Sequence, residues 1–532
     1  MMRRASIFGA GALAVVAALL AGGCGHSEPA TVQLGAKRLT VVVLVVDSLM
    51  PEEVEPTSMP NLEALKSGGT VTSPDGPPIA VQGGTFYAES RAVYAAETIP
   101  NHVAMMTGVY PTRNGIPTND FIDQFNGSAT AKARLSIPER LTATTLFTWI
   151  QQRCRATGIN PEIRTGATLS KKYLYDVFLG DAANDRVNDD PDVFNLAPDT
   201  YWNPTDSDAY IGSPDEHTPD APTMADAVAR IDGVDFFFIN LGDVDRSAHA
   251  GGQQARSAVM VDTDQQVGRL VNALQPRWAD TVLFVVSDHG MDYSPPGPAN
   301  AISTQATLDA VGACTTPMKA IPSGGTEGVY VLDRALALDQ RQAALRAARA
   351  CVLGSGSCAN LCPGVPAPAN AARISGAWYS TDDPSDSAGN MPLVIDSHSG
   401  NVGDLTLFAA AAGKFAEPQT DPNGVIPGNH GHPSTLRSTF LITGGSPWVK
   451  KPQLIAASVA SPSVYDRLPE QSENVDVAPT VAWLLGLGIE PGEFPDYPEH
   501  DSGFDGRILK EAFAQFDGDP GAASPTVCGR FD

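Results

Sequence analysis

The chain carries two kinds of apolar pattern in alternation. "LTVVVLVVDSL", Leu39 to Leu49, is an unbroken β-branched run that reaches Asp47 near its end. Such a run marks a parallel strand buried on both faces. "VDFFFINLGDVD" and "DTVLFVVSDHG" repeat the pattern, apolar first and then acidic. Helix-period segments lie between: "MPNLEALKSGG" with its glycine stop, "QARSAVMVDTDQQVGRLVNAL" and "VDVAPTVAWLLGLG". Strands alternating with helices predict an α/β fold, doubly wound around a mostly parallel sheet with helices on both faces. In such sheets ligands bind outside the carboxyl ends of the strands. Each of the three runs delivers an aspartate to that edge.

From about Pro295 to Asn401 the rhythm breaks, and this stretch holds four of the cysteines with many Pro, Gly and Ser residues. The expected organisation is a signal segment over 1–24, a tether over 25–37, a catalytic domain over 38–300 and 400–515, an inserted cap over 301–399, and a tail over 516–532. "VGDLTLFAAAA" and "TFLITGG" are expected to resume the main sheet.

The N-terminus reads as an export signal. Arg3 and Arg4 precede an apolar stretch from Ala5 to Leu20, then small residues and Cys24. The run is short for a spanning helix. "LAGGC" is similar to a bacterial lipobox, with Ala21 where leucine is usual, so Cys24 is a candidate lipid anchor. Ordinary cleavage nearby and the twin-arginine route stay open. The expected location is the periplasm or cell envelope. Six further cysteines, an even number in an exported chain, predict disulfides. Cys351, Cys358 and Cys362 are spaced closely enough for a zinc knot, but no CxxC pair or nearby histidine supports one.

Charge narrows the partners. A net charge of -25 argues against a nucleic-acid groove. A small anionic substrate would need local cations such as metal ions. Asp47, Asp245, His249, Asp288, His289 and His430 supply three carboxylates and three imidazoles near strand ends. That set suffices for two zinc ions with mixed N/O ligands. Two metals roughly 4 Å apart can clamp the attacking and leaving oxygens at phosphorus. In "YAAETIPNHVAMMTGVYPTRNGI", Thr98 opens a predicted helix whose positive end favours a phosphate. Locally Thr98 reads as a helix cap, with Pro100 in the first turn. Beside metals its hydroxyl is a nucleophile. Asn119 in "GIPTND" offers an amide donor for a phosphoryl oxygen.

These motifs together resemble the type I phosphodiesterase/nucleotide pyrophosphatase family of the alkaline phosphatase superfamily. The resemblance rests on "TIPNH", "DRSAHAGG", "SDHGM" and "GNHG", and on the tail "VDVAPTVAWLLG…DGRILKEA". It covers roughly residues 38–300 and 400–515. It implies an alkaline-phosphatase-like fold and a two-zinc phosphoryl-ester hydrolase acting on a small phosphoester. By position, Asp245, His249 and His430 would hold one zinc, and Asp47, Thr98, Asp288 and His289 the other. Thr98 would form a phospho-threonine intermediate, with Asn119 and the Thr98 amide as oxyanion donors.

The sequence departs from the resemblance at two points. Ile99 stands where nucleotide-cleaving relatives usually have an aromatic residue. In "LSKKYLYD", Lys171 can meet a phosphoryl oxygen, but Tyr173 stands where phosphomonoesterases of the superfamily often have arginine. Diester or pyrophosphate cleavage is therefore expected over monoester cleavage. A phosphonate hydrolase and a metal-stabilised binding protein are the alternatives. A sulfatase does not fit, because no "CxPxR" motif occurs.

Overall fold

A computed structural model describes residues 39–122, 132–134, 141–155, 163–179, 195–202, 217–294, 297–392, 395, 401, 403–415, 426–458, 468–487 and 503–514. They belong to one compact unit, Arg38–Asp532. The signal segment, Cys24, the tail and Cys528 lie outside the described residues.

An eight-stranded sheet forms the centre. Its strands lie in the order Gln453–Ile455, Thr85–Tyr87, Phe440–Thr443, Thr281–Val286, Thr40–Val46, Phe236–Leu241, Thr165–Leu169 and Thr200–Tyr201. Thr40–Val46 is wholly buried and runs parallel to both neighbours. Val41, Val43 and Val45 join one apolar layer, with Val103, Met105 and Val481 from covering helices. Val42, Leu44 and Val46 join the other, with Leu62, Met224 and Val267. Burying each such side chain is worth roughly 1.5–3 kcal/mol. Because both faces are apolar, a one-residue slip would not expose a polar group, and alternation alone cannot fix the register. The strand's polar end does so. The Asp47 N–H donates to Leu241 O at 2.9 Å, and the Ser48 N–H to Asp288 Oδ1 at 2.9 Å.

Phe440–Thr443 runs antiparallel to both of its neighbours, while the other pairings in this sheet are parallel. Its first residue, Phe440, pairs with Val286, the last residue of its neighbour. A strand that starts at the carboxyl edge, just after the loop carrying His430, can only run back.

A second sheet has the order Met318–Ser323, Thr326–Val331, Leu405–Ala409 and Ile374–Tyr379, antiparallel throughout. The helix Leu338–Val352 covers it through Leu345 and Ala348, in one core with Val329 and Leu407. This corrects one expectation. "VGDLTLFAAAA" does not resume the main sheet: Leu405–Ala409 pairs with Thr326–Val331 and Ile374–Tyr379. Its apolar residues satisfy either sheet, and only the partners decide. The zinc-knot alternative also falls, because Cys314 bonds to Cys362 and Cys351 to Cys358. Among the described residues no helix is long and apolar enough to cross a membrane.

Candidate active site

The helix Thr98–Thr107 begins at the carboxyl edge and ends at Gly108, whose left-handed φ of 70° closes it. Glu97, extended at φ −134° and ψ 160°, is the residue before the first turn. Thr98 is therefore the first helical residue and not the cap, so its hydroxyl is not spent on a backbone amide. Thr98 Oγ1 lies 3.4 Å from His289 Nε2 and accepts from Lys171 Nζ at 3.2 Å. Ile99, next on the helix, is buried, and its N–H donates to Asn119 Oδ1 at 2.9 Å.

Asp47 and Asp288 stand just beyond two neighbouring parallel strands. Asp245 and His249 come from the first turns of the helix Asp243–Leu274, so they share a face at i,i+4 spacing. The helical part thus starts earlier than "QARSAVMVDTDQQVGRLVNAL" suggested, and it bends at Gly252 with φ 67°. His430 arrives on the loop before Phe440.

The groups converge. Nε2 of His249 is 3.4 Å and Nε2 of His430 3.9 Å from Asp245 Oδ1. Nε2 of His289 is 3.4 Å from Asp288 Oδ2 and 3.8 Å from Asp47 Oδ1. The His289 and His430 rings stack at 3.9 Å and join the two groups into one site. Lys171 Nζ reaches Asp47 Oδ2 at 2.7 Å and Asp245 Oδ2 at 3.0 Å.

Two observations suit this donor set to metal ions. Asp47 Oδ1, Asp245 Oδ1 and Asp288 Oδ2 are buried without a hydrogen-bond partner. Such orphans are costly in a protein interior unless a ligand satisfies them. The histidines are also oriented for it: Nδ1–H of His249 donates to Gly428 O at 2.9 Å, and Nδ1–H of His289 to Gly290 O at 3.0 Å. Each leaves Nε2 as a lone pair facing carboxylates, the arrangement that metal-binding histidines use.

Electrostatics agree. Burial holds the His289 imidazole at about 4, below its ordinary range, and pushes His430 well down, with His289 adding to the effect. Both are neutral and able to ligate. Burial opposes charge on Lys171, but Asp245 and Asp47 outweigh it and hold the ammonium charged. Burial pushes the Asp288 carboxyl up, and the Asp47 charge pushes it further. Such crowding of carboxylates is relieved by cations. Burial raises the Tyr173 hydroxyl to about 12 against the pull of Lys171.

The structure thus brings Asp47, Thr98, Lys171, Tyr173, Asp245, His249, Asp288, His289 and His430 together, with Ile99 and Asn119 alongside. It also shows residues that sequence reading passed over. His102, within "TIPNH", lies near Asp47 and Asp288. Its Nδ1–H donates to Thr98 O at 2.8 Å and its Nε2 accepts from Asn240 at 3.0 Å. Both nitrogens are occupied, so His102 braces the first turn and is a poor ligand candidate. Its place four residues after Thr98, on the same helical face, was the available signal. Buried Arg256 donates to the oxygens of Ser48, whose φ of 62° is left-handed, and pairs with Glu53. It holds the turn between Asp47 and the next segment in a conformation that a serine rarely adopts.

Carboxylates and imidazoles gathered at the carboxyl edge of a doubly wound sheet, around a hydroxyl at a helix start, define an α/β protein of the alkaline-phosphatase-like class. The family model "Type I phosphodiesterase / nucleotide pyrophosphatase" matches residues 41–421, and the chain belongs to that family. Ectonucleotide pyrophosphatase/phosphodiesterase family member 1 of Rattus norvegicus is 26% identical over 216 residues, which is 39% of this chain and 20% of that protein. The Mus musculus relative is 25% identical over the same extent. The chain thus spans about a fifth of the length of the curated relatives it matches. Murine ectonucleotide pyrophosphatase / phosphodiesterase 5 superposes with a TM-score of 0.58 at 14% identity, covering 89% of this chain and 100% of that one. An inactive form of that murine protein, solved in complex with AMP, gives the same TM-score. At this identity the likeness carries the fold.

Proposed function

We propose that the protein is a two-zinc phosphodiesterase acting through a covalent phospho-threonine. The observation that carries this reading is the set of orphaned buried oxygens and oriented imidazoles around the Thr98 hydroxyl. Asp245, His249 and His430 would hold one ion, and Asp47, Thr98, Asp288 and His289 the other. Bound there, the ions would lower the hydroxyl's pKa and neutralise the phosphoryl oxygens. The Thr98 oxygen forms a bond to phosphorus as the bond to the leaving alcohol breaks. Water then attacks phosphorus, the bond to Thr98 breaks, and a monoester leaves. Asn119 and the Thr98 amide donate to the phosphoryl oxygen on which charge builds.

Lys171 supports a second reading, monoester cleavage, because its ammonium could meet a third free oxygen. Tyr173 tips the balance to diesters. It lacks the guanidinium fork that binds a dianion in a bidentate way. The AMP bound by the murine protein suggests nucleotides among the substrates, although buried Ile99 offers no stacking face. We also read the chain as exported and lipidated at Cys24, which the intact mass of the mature protein checks.

The direct test is an acid quench during turnover of an aryl phosphodiester, followed by peptide mass analysis. A phosphoryl adduct that still carries the diester's second ester group on the Thr98 peptide, missing in Thr98→Ala, is the expected result. No adduct, with turnover retained in Thr98→Ala, overturns the two-step path.

A further inference from the structure

We propose that Glu97 is a positioning residue, holding Asn119 against the start of the Thr98 helix and tying that clamp to the second sheet. Glu97 is 1% exposed, at the carboxyl edge of the main sheet. Its Oε2 accepts the Asn119 N–H and also the Ser323 hydroxyl, the latter at 2.8 Å. Asn119 is thereby gripped at both ends: its backbone by Glu97, and its side-chain oxygen by the Ile99 N–H at 2.9 Å. With Oδ1 committed, the NH2 group is the remaining end of the amide, and it is a donor. That is the group an oxyanion site needs.

Ser323 ends a strand of the second sheet, and the turn after it touches the opposite side of the site. The Gly325 N–H donates to His430 O at 2.7 Å, and the Thr326 hydroxyl donates to Gly431 O. Gly431 in turn donates to Ala96 O at 2.9 Å, one residue before Glu97. One hairpin tip thus fixes both the His430 backbone and the carboxylate that anchors Asn119. A misplacement of about 1 Å in such a group can cost roughly a hundredfold in rate.

The catalytic part of this proposal rests on the phosphodiesterase reading; the structural part does not. The experiment compares wild type, Glu97→Gln, Glu97→Ala, Asn119→Ala and the Glu97→Ala/Asn119→Ala double variant. Aryl diester turnover and hydrogen exchange of the peptide spanning Ile99 to Asn119 are read in each. Glu97→Ala is expected to lower kcat about 10- to 100-fold with little change in KM. Glu97→Gln keeps an acceptor for both donors and retains most of the rate. The double variant falls no further than the weaker single one, because both act through one group. Exchange rises around Asn119 in Glu97→Ala. Losses that multiply in the double variant overturn the proposal, as does exchange unchanged from wild type. If wild type lacks diester turnover while the exchange response appears, the positioning role stands and the diester reading falls. If Glu97→Ala does not fold, Ser323→Ala carries the exchange test with Glu97→Gln as the control that keeps the acceptor, and a pattern unchanged in Ser323→Ala overturns the tie.

Discussion

The edge of the main sheet and the second sheet are built from the same material and end differently. Both rest on buried strands: Thr40–Val46 in one and Thr326–Val331 in the other. At the main edge the strands run into carboxylates with orphaned oxygens. Around the second sheet three acidic groups pair with arginines: Arg346 with Asp383, Arg349 with Asp386, Arg334 with Asp404. Two disulfides staple the helices beside it. Unspent bonding capacity marks a place for a ligand, whereas satisfied charge marks a support. The contrast assigns chemistry to the first region and rigidity to the second.

The contrast can be broken experimentally. Its largest consequence is that Thr98→Ala should lower turnover roughly 10³-fold or more while leaving melting little changed, since the side chain does not cap its helix. A large drop in Tm with modest loss of turnover would place Thr98 among the supports. Next comes metal removal. Chelation should abolish most activity and lower Tm, because Asp47, Asp245 and Asp288 then repel one another with only the Lys171 ammonium to offset them. Elemental analysis should show two ions per chain, falling to one in Asp245→Ala; two retained there would reassign that cluster.

Replacing Cys314 and Cys362 by serine should cost about 2–4 kcal/mol of stability, with little change in turnover per folded molecule. Loss of turnover at full stability would merge the two regions. Tyr173→Arg should move the ratio of kcat/KM for a diester over the matching monoester about tenfold toward the monoester, the worth of one charge-assisted hydrogen bond. An unmoved ratio would remove Tyr173 from the pocket.

The smallest effect concerns Glu327. Burial pushes its carboxyl up to about 8 from an ordinary 4.5, against the Thr304 hydroxyl that donates to it. Below 4.5 the group is protonated in both states. As pH rises toward 8 the unfolded chain ionises first, so stability falls, and it levels off above 8. Glu327→Gln should flatten that segment of the pH–stability curve; a curve of unchanged slope would show that another group carries it.

Much of this was legible in the sequence, for particular reasons. The three unbroken runs before Asp47, Asp245 and Asp288 announced the central strands, because burial on both faces leaves no polar alternation to misread. The ligand candidates were legible as well, since residues at strand ends share an edge once the sheet is parallel. The fate of Leu405–Ala409 was not, because an apolar strand carries no label naming its partners. His102 was hidden for the opposite reason: it sits inside a motif whose threonine drew the attention, and its bonds run to backbone and amide atoms that no spacing rule shows. Glu97 looked like an ordinary acidic residue before a helix. Only the fold brings Asn119 and Ser323 to it.

The centre of the sheet has a further consequence, one of timing. Thr40–Val46 is made well before its neighbours, because Phe236–Leu241 and Thr281–Val286 come from much later in the chain. At roughly 5–20 residues per second of synthesis, the strand waits on the order of ten seconds or more before either partner exists. Seven consecutive apolar or β-branched residues, with no charge among them, are during that interval a template for pairing with any passing strand. Asp47, at the candidate site, is also the first charge after that run. It acts as a gatekeeper for the nascent chain before it has anything to bind.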